Sequence, residues 1–187
     1  MDILRFETAV EFRGWMEKNH TAAEGIWLRY FKKASGEKCV TYAEALDVAL
    51  CFGWIDGQMK PLDERSWLQR YTPRRAKSQW SKRNTLHVDR LIKDGAMTAA
   101  GLKAVEAAKA DGRWEAAYSS PGSATPPEDF LKALAKNKKA KAFFESLNKV
   151  NIYAIVYRLE TARKPEIRAK RMKLILSMMR QGEKFHP

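Results

Sequence analysis

Strand-type and helix-type patterning separate near Ser78, and that break constrains the fold more than any other feature of this 187-residue chain. Residues 25–33 (GIWLRYFKK), 54–59 (WIDGQM) and 66–72 (SWLQRYT) are short runs rich in aromatic and β-branched residues, bounded by Gly, Pro and charged turns. They predict three strands, ended by Pro73. From about Ser78 onward apolar residues recur at helical spacing, which predicts helices over 79–94, 98–111, 127–137, 138–148, 150–163 and 166–181. Two further helices are expected over 7–20 and from Thr41, where Thr41-Tyr-Ala-Glu44 forms a capping box and Gly53 supplies the stop. The sheet must therefore be built before residue 73. The expected fold is α+β: a small antiparallel sheet with helices in the N-terminal two-thirds, followed by a helical C-terminal tail. Residues 1–118 read as the α+β core domain, 119–127 (SSPGSATPP) as a linker, and 128–187 as a basic helical region. Thr125, with Pro126 at the first helical position and Glu128 three residues on, is expected to cap the helix after the linker.

Charge divides the chain a second way. The net charge is +13, but residues 1–64 are slightly acidic. Residues 65–90 carry eight Lys/Arg against Asp89 alone, and residues 121–187 carry 15 against six carboxylates. Two basic blocks of this kind attract a polyanion, with nucleic acid the first candidate partner and anionic lipid the second, or else a small anionic ligand. A solvated basic surface is the alternative.

The densest polar stretch, Arg70 to Asn84 (RYTPRRAKSQWSKRN), has the logic of an anion site. Ser78 as helix cap would present free backbone N–H groups and the positive end of the dipole. Arg74 and Arg75, held by Pro73, would fork onto the same oxygens. Trp80 offers a flat face to a base or sugar, and Ser81 and Asn84 offer hydrogen bonds. Trp54, Asp56 and Arg70 are the supporting residues. The competing reading makes Ser78 a plain cap and Trp80 core, with the arginines paired to Asp56, Asp63 or Glu64.

No complete catalytic constellation is present, so the chain reads as non-enzymatic. The alternative enzyme reading uses Asp56 as acid or base on a small phosphorylated or carboxylated substrate. Cys51 lies on an apolar helix face and reads as a buried, inert thiol. His20, His87 and His186 are scattered without ligand spacing, so no metal and no cofactor is expected. The last helix sets Ile167, Leu174, Ile175, Met178 and Met179 against Arg168, Lys170, Arg171, Lys173 and Arg180. Such a helix lies either on an anionic membrane surface or, by its apolar stripe, on a neighbouring helix. No apolar run reaches the ~18 residues of a membrane span. The first residues, MDILRFETAVEFRGWMEK, lack the apolar centre of an export signal, which predicts a cytoplasmic protein.

Tyr42-Ala-Glu-Ala-Leu, Ala49-Leu-Cys-Phe-Gly-Trp-Ile-Asp-Gly57, Thr72-Pro-Arg-Arg and Ser78-Gln-Trp-Ser-Lys-Arg-Asn84 together resemble the YdeI/OmpD-associated, or bacteriocin-protection, family. Gly95-Ala-Met-Thr98, Asp111-Gly-Arg-Trp114 and Ala162-Arg-Lys-Pro with Arg168 and Lys170-Arg171 extend the resemblance from about Trp27 to the C-terminus. It implies tolerance of cationic antimicrobial peptides and a link to an outer-membrane porin, and it carries no catalytic residues. A chain of charge +13 repels a cationic peptide, so protection of that kind would act indirectly or on an anionic target.

Overall fold

The computed structural model describes residues 1–187. In chain order the elements are β1 (Ile3–Leu4), α1 (Ala9–Asn19), β2 (Ile26–Phe31), a 3₁₀ turn (Lys33–Ser35), α2 (Tyr42–Cys51), β3 (Trp54–Asp63) and β4 (Ser66–Pro73). They continue with α3 (Lys82–Lys93), α4 (Ala99–Ala110), α5 (Glu128–Ala135), α6 (Lys138–Glu145), α7 (Lys149–Glu160) and α8 (Pro165–Gln181). The fold is α+β with C-terminal helices, as expected. The chain forms two compact units. An N-terminal unit comprises Met1–Ser78 and Asn84–Gly112, and a C-terminal unit comprises Gln79–Arg83 and Arg113–Pro187.

The N-terminal unit is built on a four-stranded sheet in the order β1-β2-β4-β3. β2 and β3 both pair antiparallel with β4. β1, which the sequence did not announce, adds parallel to β2 through Ile3–Trp27 and Leu4–Leu28. Two residues are too few to show a period, so this strand exists only through its pairing. β2 alternates as a half-buried strand should, with Ile26, Leu28 and Tyr30 turned inward. β3 starts in the core at Trp54 and leaves it: residues 57–63 are exposed. It runs four residues past the expected end, to Asp63. The sheet tolerates Pro61 there because β3 is an edge strand with irregular register.

The C-terminal unit has its own apolar core of Phe130, Leu134, Ala140, Phe144, Ile155, Leu159, Ile175 and Met179. Phe130 and Phe144 meet edge to face at 5.4 Å. α8 therefore spends Ile175 and Met179 on the protein interior, leaving Ile167 and Leu174 exposed. No helix is long and apolar enough to cross a membrane. The segment expected as a linker starts with Ser119, whose N and Oγ both donate to the Glu160 carboxylate, at 2.9 and 2.8 Å.

Two expected helix starts are corrected. α3 begins at Lys82 and not at Ser78, because Ser81 forms a bridge with Tyr118 that holds the preceding backbone extended. α5 begins at Glu128, with Pro127 as its extended N-cap and no side-chain cap. Pro126 cannot open that helix, since the residue before a proline is driven out of the helical region. The capping box at α2 is present in full: the Thr41 Oγ1 accepts from the Glu44 amide, and the Glu44 carboxylate accepts from the Thr41 amide at 2.9 Å.

Candidate functional site

The stretch from Arg70 to Asn84 leaves β4, makes one turn, runs extended and enters α3. The turn is local and closed. Ser78 N donates to the Arg75 carbonyl at 2.9 Å, and Arg75 N donates to Ser78 Oγ at 3.1 Å. Ser78 thus caps a turn and not a helix, which removes the helix dipole from the expected anion site. The strand-to-turn junction is fixed by Arg74 N donating to the Gly53 carbonyl at 3.0 Å. That contact depends on Gly53 following α2 in the left-handed region, at φ 73°. Arg74 is half-buried, whereas Arg75 and Lys77 are exposed. Neither Arg75 nor Lys77 is in an ion pair with a carboxylate.

Arg74, Arg75, Ser78 and Asn84 belong to the N-terminal unit; Trp80 and Ser81 belong to the C-terminal unit. Trp80 is 1% exposed and lies against Trp114 with ring centroids 4.9 Å apart, so it is core and has no face open to a base. Asn84 is buried on α3. Trp54 is also core: its Nε1 donates to the His20 carbonyl at 3.1 Å, and its ring meets Trp15 edge-on. Arg70 is half-buried in β4, opposite Trp27 of β2.

Asp56 accepts a hydrogen bond of 2.7 Å from the Tyr42 hydroxyl. Beside it Tyr30 and Tyr71 share a hydroxyl–hydroxyl contact of 3.0 Å in the core, and burial pushes both phenols well above the ordinary tyrosine range. These phenols stay protonated at any physiological pH and serve the packing of the sheet.

A pair that sequence reasoning missed is Asp47 with His87. The Asp47 carboxylate meets His87 Nδ1 at 2.7 Å and accepts from Arg90 at 2.5 Å. Asp47 and His87 are 40 residues apart in sequence, so only the docking of α3 on α2 reveals the pair. Cys51, one turn along α2 from Asp47, is 1% exposed, and burial pushes its thiol up, as expected for an inert cysteine.

The comparisons with known proteins divide the chain in a similar way. Residues 4–104, more than half of the chain, match the family described as a domain of unknown function, DUF8412. The chain belongs to that family. Residues 123–182 match a second model, described as bacteriocin-protection, YdeI or OmpD-associated. The family resemblance therefore holds in the C-terminal segment, where Ala162-Arg-Lys-Pro165, Arg168 and Lys170-Arg171 lie. The blocks between Tyr42 and Asn84 fall instead within the DUF8412 match. No curated protein and no solved structure matches the chain.

Proposed function

We propose that this DUF8412 and YdeI/OmpD-associated chain is a non-enzymatic protein that binds polyanions, with nucleic acid as its first ligand class. The observation that carries the reading is the closed turn at Arg75–Ser78, which holds Arg75 and Lys77 exposed without a carboxylate partner. The two hydrogen bonds fix the backbone from which Arg75 projects, and its exposed planar fork matches phosphate oxygens. The surrounding charge of residues 65–90 gives the turn a positive field that raises the rate of encounter with a polyanion. With Trp80 and Asn84 buried, the contact is to the backbone phosphates and not to bases, so binding is expected to be insensitive to sequence. A protective role of the family kind would then act through an anionic target, since a +13 chain does not attract a cationic peptide.

The test compares the wild-type protein with Arg75→Glu/Lys77→Glu in fluorescence anisotropy titrations of labelled single-stranded and duplex DNA and RNA. Each lost phosphate contact is expected to weaken binding by about eightfold at ~0.1 M salt, from a counterion-release slope of ~0.9 per contact. Equal affinity of the folded double variant removes this turn from the interface.

A further inference from the structure

Two arginines, Arg158 of α7 and Arg171 of α8, share one cavity of the C-terminal unit. Tyr157, Arg158 and Thr161 from the end of α7, Arg171 from α8 and Gln79 line an open cavity of about 400 Å³. All five belong to the C-terminal unit. Both arginines are half-buried as residues, and hydrogen bonds hold both side chains. Arg171 Nη1 donates to the Arg158 carbonyl at 2.7 Å and to Thr161 Oγ1 at 3.2 Å. Arg158 Nη1 donates to the Ala154 carbonyl at 2.8 Å, and its guanidinium lies 3.8 Å from the centroid of the Phe185 ring. Thr161 is oriented in turn by donating to the Tyr157 carbonyl at 2.6 Å.

Hydrogen bonds to α7 carbonyls occupy one nitrogen of each side chain. An arginine offers five N–H donors, so most of each fork is left over. Neither arginine is in an ion pair with a carboxylate. Glu160, the nearest acid in sequence, is turned away to Ser119 at 2.8 and 2.9 Å and to Lys82 at 3.9 Å. No carboxylate lines the cavity, and its two arginines are its only charged residues, so the field there is positive. Two fixed, half-buried like charges repel, and an entering dianion that pairs with both relieves that repulsion.

We propose that this cavity binds a terminal phosphomonoester, with Arg158 and Arg171 as a two-armed clamp on its oxygens and Tyr157 as a wall for the group that carries it. A dianion matches the two guanidinium charges, and the planar forks match phosphate geometry. The volume lies within the ~300–1,000 Å³ of small-ligand pockets, so it takes the phosphate with an attached ring. Such a phosphate comes either from a free mononucleotide or from the 5′ end of an oligonucleotide. The proposal is independent of the turn at Arg75–Ser78, which belongs to the other unit.

The direct test is phenylglyoxal labelling of the native full-length protein, read by peptide mass mapping, with and without inorganic phosphate or adenosine 5′-monophosphate. Labelling of Arg158 and Arg171 is expected to slow at least threefold with either anion, while labelling of exposed Arg65 and Arg180 is unchanged. Calorimetric titration with adenosine 5′-monophosphate, and with one oligonucleotide bearing a 5′-phosphate or a 5′-hydroxyl, then distinguishes the two sources. Arg171→Lys, which keeps the charge and loses the fork, is expected to weaken binding about tenfold with an unchanged circular dichroism spectrum. Protection absent at both arginines, on the unmodified wild-type fold, overturns the proposal whatever the variant does.

Discussion

Thr41 and Glu44 show how much a single residue pair contributes here. Each satisfies a backbone amide of the other, so two of the donors that a helix start leaves open are satisfied by the pair itself. Thr41→Ala is expected to cost about 1 kcal/mol of stability, read as a lower denaturation midpoint. The same hydrogen bonds to Thr41 hold the Glu44 carboxyl below the ordinary glutamate range. A folded-state value below the unfolded one contributes stability above the unfolded pKa, and that contribution fades as the pH falls through the folded value. The deficit of Thr41→Ala relative to wild type is therefore expected to shrink on acidification below the glutamate range. Denaturation curves at neutral pH and in that acidic range check the sign. The cysteines offer a second residue-scale check. Cys51 is buried with its thiol pushed up, whereas Cys39 is half-buried. A thiol-reactive disulfide reagent is expected to modify Cys39 in the native protein and Cys51 only on unfolding, with the reacted peptide identified by mass.

Between elements, the end of α2 docks on the start of α4. The Cys51 carbonyl, one of the last on its helix, accepts from Thr98 N at 3.1 Å and from Thr98 Oγ1 at 2.6 Å. The two helix ends present opposite partial charges, which favours the contact. Gly101 permits it, because a Cβ there would lie 2.2 Å from the Cys51 carbonyl oxygen. Gly101→Ala must push α4 off α2, and a fall in melting temperature larger than that of an Ala substitution at exposed Gly122 is expected. In the C-terminal unit, Phe130→Ala empties a fully buried ring site and is expected to cost about 3–5 kcal/mol. These elements were legible in the sequence wherever their cause is local. The Thr41 box, the strand alternation of 26–31 and the helical spacing from 99 onward each rest on neighbours within a few residues. The start of α3 was not legible, because Ser81 pairs with Tyr118, 37 positions away. The cavity at Arg158 and Arg171 was hidden for the same reason: Gln79 reaches it from far upstream, and the basic run alone reads as solvated surface.

At the scale of the whole molecule, charge is what distinguishes this chain. The acidic excess of residues 1–64 and the basic excess of 65–90 fall within one matched family segment, and the larger basic excess of 121–187 coincides with the other. The candidate site was legible as charge and not as geometry: the basic stretch was found, but the expected stacking tryptophan proved to be core. Under the proposed function, affinity for nucleic acid comes from phosphate contacts and falls steeply with salt, with little dependence on base sequence. The measurement that tests this most directly is the anisotropy-derived affinity for one labelled duplex and one labelled single strand between about 50 and about 200 mM salt. The account predicts a linear fall of log K against log salt equivalent to at least two phosphate contacts, reduced by about two contacts in Arg75→Glu/Lys77→Glu. No measurable binding at the lower salt, or binding whose salt slope the double variant leaves unchanged, would contradict it.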